Sequence, residues 1–216
     1  YGNVRSVGLN GINVREGDEL IDVQITNGDE EIVLATRDGM AIRFKEADAR
    51  PMGRATEGVR GIELSGDDVV VGMVVVRPGS TLLVVSENGM GKRTDVDAYR
   101  LQRRGGKGVI NLNVSAKTGK VVVMRSVTEA EQLMVITRNG VVNRQHVHEI
   151  RVIGRATQGV KLVNLDEGDA VMDVARVIAE DEDEVDGEAE EAMGAEAIEQ
   201  DDVETATGEP EADEKE

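Results

Sequence analysis

Glu31-Ile-Val-Leu-Ala-Thr-Arg-Asp-Gly39, Thr81-Leu-Leu-Val-Val-Ser-Glu-Asn-Gly89 and Gln132-Leu-Met-Val-Ile-Thr-Arg-Asn-Gly140 are three copies of one phrase, spaced 50 and 51 residues apart. A fixed period of this size marks a repeat architecture, in which each unit buries its apolar face against its neighbours. The register extends beyond the phrase. An arginine falls four residues after each glycine (Arg43, Arg93, Arg144) and another fifteen after (Arg54, Arg104, Arg155). A Gly-Val pair falls nineteen after (Gly58-Val59, Gly108-Val109, Gly159-Val160). Three features at constant offset in three copies exclude coincidence.

Each unit reads as strands rather than helices. Ile32–Thr36 and Ala41–Phe44 flank a turn at Arg37-Asp-Gly-Met40, and Asp-Gly or Asn-Gly between apolar runs is the strongest short hairpin signal. Two more strands are expected near Gly58–Leu64 and Val69–Val76. Four strands in about 50 residues is the arithmetic of a propeller blade. The expected fold is therefore all-β and propeller-like, with about three and a half four-stranded blades. The expected boundaries are a back half-blade at 1–28, whose Gly17-Asp-Glu-Leu-Ile-Asp-Val-Gln-Ile25 matches the unit endings, and blades at 29–78, 79–128 and 129–179. A start at Tyr1, inside an apolar-polar pattern, reads as a piece of something longer, and three and a half blades alone as an open disc.

The formal net charge of −18 describes no part of the chain well. Residues 1–179 hold 24 acids and 24 bases, whereas 180–216 hold 19 acids and Lys215. That acidic end has no hydrophobic period and cannot bury enough apolar surface to offset chain entropy, so disorder is expected there. Such a polyanion can compete with nucleic acid for a cationic surface or simply keep the chain in solution. Within the body, residues 89–125 carry nine bases and two acids. The absence of Cys excludes disulfides and thiolate chemistry. With no Trp, one Phe and two Tyr, aromatic base-stacking platforms are not expected. No apolar run reaches the roughly 18 residues that a membrane span needs.

The basic stretch contains Gln102-Arg103-Arg104-Gly105-Gly106-Lys107-Gly108, where the other units read Met52-Gly-Arg-Ala-Thr-Glu-Gly58 and Ile153-Gly-Arg-Ala-Thr-Gln-Gly159. Three cations beside glycines suit phosphate, because arginine forks bond its oxygens bidentately and glycines let backbone N–H groups approach. The alternative is a solvated glycine-rich turn. Arg54, Arg104 and Arg155, beside these loops, are read as phosphate contacts. Arg43, Arg93 and Arg144 could follow a bent duplex, or pair with carboxylates and hold blade to blade. Lys92 joins Arg93 as a candidate in Gly89-Met-Gly-Lys-Arg-Thr94, which resembles a phosphate-binding nucleotide loop but carries Ser86 where that loop needs a glycine. His146 and His148 lack a nearby third ligand and read as surface residues. No catalytic constellation is legible, and no metal site is expected.

The stretch Gln102–Gly108 resembles the gyrase A box, and Met52–Ile62, Asn88–Thr94 and Ile153–Val160 are similar to phrases of the same family, the C-terminal domain of the bacterial DNA gyrase A subunit. The resemblance spans residues 1–179. It implies a β-pinwheel of six blades whose basic rim wraps duplex DNA largely without sequence specificity. The wrap hands a second segment to a cleavage core, so that a type II topoisomerase introduces negative supercoils. It also implies as partners the remainder of the gyrase A chain, in homodimeric form, and the gyrase B chain, together an A2B2 heterotetramer, with no membrane. ATP and Mg2+ would be bound elsewhere in that assembly, in the bacterial cytoplasm. The catalytic tyrosine would also lie elsewhere, so neither Tyr1 nor Tyr99 is expected to serve. Matched from the acidic end these units would be the last three blades, whereas the family's principal box usually sits in the first. Rival readings are the C-terminal domain of the topoisomerase IV A subunit and a protein-binding propeller scaffold.

Overall fold

The computed structural model describes residues 8–177; the expected acidic tail at 180–216 lies outside them. The described residues form eleven strands in three antiparallel sheets, with three short 3-10 turns. In chain order the strands are β1 (Glu31–Thr36), β2 (Met40–Lys45), β3 (Val70–Val75), β4 (Thr81–Ser86), β5 (Met90–Asp95) and β6 (Val109–Ile110). There follow β7 (Val121–Val127), β8 (Gln132–Thr137), β9 (Val142–His146), β10 (Val160–Lys161) and β11 (Val171–Val177). The repeated phrases are the hairpins β1–β2, β4–β5 and β8–β9, as the sequence requires.

Each phrase encodes its turn locally. The last strand residue is always a hydroxyl, Thr36, Ser86 or Thr137, and each is buried. Thr36 and Thr137 accept the N–H of Met40 and Val141 at 3.2 Å, and the Ser86 hydroxyl donates to the Met90 carbonyl at 3.1 Å. The glycine closing each turn has φ of +87°, +73° or +83°, a conformation that side-chain-bearing residues resist.

Two sheets have four strands, in the orders β3-β1-β2-β6 and β10-β5-β4-β7, and the third has the order β11-β8-β9. The fourth strand of each complete sheet comes from the next unit: Val109 pairs with Ala41, and Val160 with Gly91. This corrects the expectation that each unit supplies all four of its own strands. It also explains why Gly58–Leu64, expected as a strand, is not one. The described residues contain no preceding hairpin for it to pair with, and an unpaired strand has no ladder to hold it. For the same reason residues 8–29 hold no strand, and Val23 and Ile25 are left exposed.

Among the described residues, two of the three apolar clusters lie between units, and the third, Ile32, Ile42, Phe44 and Ile62, lies within the first unit. Val33, Ala35, Ala41 and Val74 of the first unit pack with Leu82, Val84, Tyr99, Leu112 and Met124 of the second. Leu83, Val85, Val123 and Val127 pack with Leu133, Val135, Val147 and Val174 of the third. The middle strand β4 is covered on both faces and reads as an unbroken apolar run, whereas β8 alternates buried and half-buried. Full burial of each such Leu or Val is worth roughly 1.5–3 kcal/mol, so the stacking of units supplies much of the stability.

The inner strands are tied by a charged cluster. Glu131, 7% exposed, accepts Arg77 at 2.9 and 3.2 Å and the Thr128 N–H at 2.8 Å, with Arg176 at 3.3 Å. Burial pushes its carboxyl up, but the Arg77 fork, the Thr128 N–H and Arg176 overcome this and hold it below the ordinary carboxylate range. A carboxyl depressed on folding stabilises above its unfolded pKa, about 4.3 for Glu, and loses that contribution as pH falls through its lower folded value. Acid unfolding should therefore steepen in the window below about pH 4.3, and Glu131→Gln should flatten it. Superimposable acid-denaturation curves for the two proteins would refute this assignment.

Candidate nucleic-acid interface

The box loop sits on the seam between the first two units and is held at several points. The Gln102 N–H donates to the Arg43 carbonyl at 2.9 Å, the Gly105 N–H to Gly61 at 2.7 Å, and the Glu63 N–H to Gly106 at 2.9 Å. Gly108, at φ +77°, then lays its backbone against Ala41, where an added Cβ would come within 2.8 Å of the carbonyl carbon. Gly159 does the same against Gly91 at the second seam.

Pinned in this way, the loop presents its cations unequally. Arg103 and Lys107 are exposed and make no hydrogen bond or ion pair among the described residues, so both charges are free. Arg104 is half-buried: its Nε donates to the Asp48 carbonyl at 3.2 Å and its Nη1 to the Arg60 carbonyl. Arg155 repeats this at the second seam, with Nε to Ala98 at 3.1 Å and Nη1 to Ile110 at 2.9 Å. Each guanidinium thus joins two carbonyls of the preceding unit and keeps only its remaining N–H groups for an anion. Arg54, of whose preceding unit only the back half is among the described residues, is exposed without a partner there. In the first unit the place of Lys107 is taken by Glu57, which pairs with Arg15, and in the third by Gln158. Cationic charge therefore concentrates at the box.

Burial decides between the two readings of Arg43 and Arg93 and takes Lys92 off the surface. Arg93, its side chain 4% exposed, donates from Nε to the Ile150 carbonyl and from Nη1 to Glu129, both at 2.8 Å, so it does not face phosphate. Arg43, 14% exposed, pairs with Glu31 and donates to the carbonyls of Val96 at 2.9 Å and Tyr99 at 3.2 Å. Both are clamps between units, because their carbonyl acceptors belong to the following unit. Arg144 is exposed and bonds Gln132 at 2.5 Å; the described residues include no following unit for it to clamp. Lys92 is fully buried beneath the loop of the third unit, where Nζ donates to the carbonyls of Gly154, at 2.8 Å, and Arg155. Burial, with Arg155 nearby, lowers its ammonium pKa to about 8. Ile42 holds the corresponding place under the box, with its Cδ1 close to Gly106.

One regular set escaped the sequence reading. Eleven residues after each phrase glycine stand Arg50, Arg100 and Arg151, all exposed. The signal was the same constancy of spacing that revealed the other two sets. Elsewhere, Tyr99 is buried, bonds Asn111 at 2.6 Å and has its phenol pushed up to about 12 by burial, so it is a core residue. The rings of His146 and His148 lie 5.0 Å apart at the end of β9. No group of three metal-ligating side chains occurs among the described residues, and no helix there is long and apolar enough to cross a membrane. Gly89–Thr94 spans the turn and second strand of a hairpin, so it is not a strand-to-helix phosphate loop.

Unit-to-unit strand exchange and a cationic glycine loop on the seam define a pinwheel-type β-propeller built from repeats. The chain belongs to the family described as the DNA gyrase C-terminal domain, beta-propeller, whose repeats match residues 1–27, 30–77, 80–128 and 131–178. It is 50% identical over 187 residues to the DNA gyrase A subunit of Deinococcus deserti, a match covering 84% of this chain and 23% of that protein. It is 40% identical over 210 residues to the DNA gyrase A subunit of Mycolicibacterium smegmatis, covering 96% of this chain and 24% of that protein. The chain thus spans about a quarter of the length of these relatives. Among solved structures, a DNA gyrase A C-terminal domain superimposes with a TM-score of 0.74 at 27% identity, covering 80% of this chain and 59% of that one. The C-terminal domain of a DNA topoisomerase IV superimposes with a TM-score of 0.76, covering 88% of this chain and 58% of that one; at 24% identity this speaks for the fold alone.

Proposed function

We propose that this chain is the DNA-wrapping portion of a gyrase A protein: it binds duplex DNA through phosphate along its seams and bends it. The observation that carries this reading is the box loop. Two free cations, Arg103 and Lys107, project from a backbone that three hydrogen bonds fix to the neighbouring unit. A pre-fixed cationic loop loses little entropy on meeting a polyanion, and phosphate contacts carry no base preference. Sequence preference then reflects how readily the duplex bends.

In the complete enzyme, wrapping of one hand presents a second DNA segment to a cleavage core supplied by the rest of gyrase A. ATP turnover with Mg2+ in gyrase B would drive strand passage and negative supercoiling in the bacterial cytoplasm. The free cations of the box favour this reading over a protein-binding scaffold, and the 50% identity to a gyrase A relative favours it over topoisomerase IV. Relaxing closed circular DNA with a type I topoisomerase in the presence of the chain should leave a linking-number shift of one sign that grows with protein. No shift at low salt, where phosphate contacts are strongest, would reject wrapping.

A further inference from the structure

The three regular arginine sets have different fates. Those four residues after the phrase glycine are consumed as clamps in the first two units, and those fifteen after give two N–H groups to carbonyls at each seam. Those eleven after, Arg50, Arg100 and Arg151, form no hydrogen bond or ion pair from the side chain among the described residues. Their backbone follows ordered turns, and in the second and third units it is also tied to the preceding unit. Each follows a 3-10 turn, Glu46–Asp48, Val96–Ala98 or Val147–Glu149. Tyr99 and Ile150 immediately before Arg100 and Arg151 are buried, while Leu101 and Val152 immediately after bridge in parallel to Arg43 and Arg93. The Arg151 carbonyl also accepts the Arg93 N–H at 3.1 Å. Asp48, Asp97 and Glu149 stand in the same turns without pairing to these arginines.

Their position relative to the seams is also constant. Asp48 and Ala98, two residues before Arg50 and Arg100, supply the carbonyls that receive Arg104 and Arg155 of the following unit. A free guanidinium therefore stands beside both described loop seams, Arg50 at the first and Arg100 at the second, and Arg151 holds the equivalent place in the third unit.

We propose that Arg50, Arg100 and Arg151 form a phosphate track that carries duplex DNA from one unit to the next, in addition to the box. The proposal rests on the DNA-wrapping reading and assigns that function to residues outside the box motif. A guanidinium carried at the same place in every repeat meets a duplex at regular intervals and contributes to the counterion-release slope without reading bases.

The test uses the 216-residue chain and a fluorescein-labelled mixed-sequence duplex, with anisotropy titrations between about 50 and 200 mM salt. The triple variant R50Q/R100Q/R151Q should lower the salt slope by about three and weaken binding at least roughly tenfold, with an unchanged circular-dichroism melt. Lysine at the three positions should restore most of the slope, since a point charge still displaces counterions. The control K45Q/K117Q/R138Q removes the same charge from exposed sites elsewhere and should leave the slope near that of the parent. A triple variant with the parent's slope, or a control that falls equally, overturns the track. Failure of the parent chain itself to bind at low salt overturns the wrapping reading on which the track rests, so the two failures are distinct.

Discussion

Gly159→Ala should destabilise the protein by about 3 kcal/mol or more, lowering its melting temperature by roughly 10 °C. Two costs combine. The residue sits at φ +78°, where a Cβ is strained, and that Cβ would lie 2.6 Å from the Gly91 oxygen and 2.9 Å from its carbonyl carbon. The obstacle is the backbone of β5 in the neighbouring unit, which cannot rotate away as a side chain could. The exchanged strand β10 would have to retreat and give up its ladder with Gly91 and Met90. Gly108→Ala should behave alike, against Ala41. Gly168→Ala is the control: its φ of +81° is equally strained, yet nothing lies within 4 Å of the added Cβ. It should cost only about 1 kcal/mol. Equal losses for Gly159→Ala and Gly168→Ala would show that close approach at the seam is not what the glycine serves.

Charge removal at the box and at the clamps should separate binding from stability. Arg103→Ala with Lys107→Ala removes two exposed, unpaired cations, so stability should move by no more than about 0.5 kcal/mol. DNA affinity should fall about tenfold or more, with the salt slope reduced by about two. Arg93→Ala should do the opposite. It strips a partner from the buried Ile150 carbonyl and leaves a void in a side-chain site only 4% exposed, at a cost of about 2–3 kcal/mol. The loss is held to that range because Glu129, left behind, is 71% exposed and can hydrate. Thermal melts together with anisotropy titrations of the folded fractions would check both halves. A stable Arg93→Ala protein with weakened binding would return Arg93 to the DNA surface.

Along the chain, the hairpins were legible because their causes are local. A hydroxyl, a two-residue turn and a glycine at positive φ satisfy one another within five residues, so Thr36–Met40 announces itself wherever it stands. The box was legible for the same reason, its cations and glycines being contiguous. Gly108-Val109 and Gly159-Val160 were seen as regular, but their pairing partner was not. A period reports that units are alike and is silent on which unit a strand pairs with.

Sequence by itself determined that this is a repeat of β-hairpins, about 50 residues apart, with one strongly cationic glycine-rich loop, because these follow from spacing and from neighbours along the chain. Tertiary structure alone decided which cations remain free. Sequence leaves Arg43 and Arg93 open between duplex contact and clamp and offers Lys92 as a phosphate candidate, yet carbonyls of another unit consume all three, while Arg50, Arg100 and Arg151 stay exposed with the same periodicity. A guanidinium is spent or available according to the acceptors that folding brings within about 3 Å, and those acceptors lie some 50 residues away in the chain.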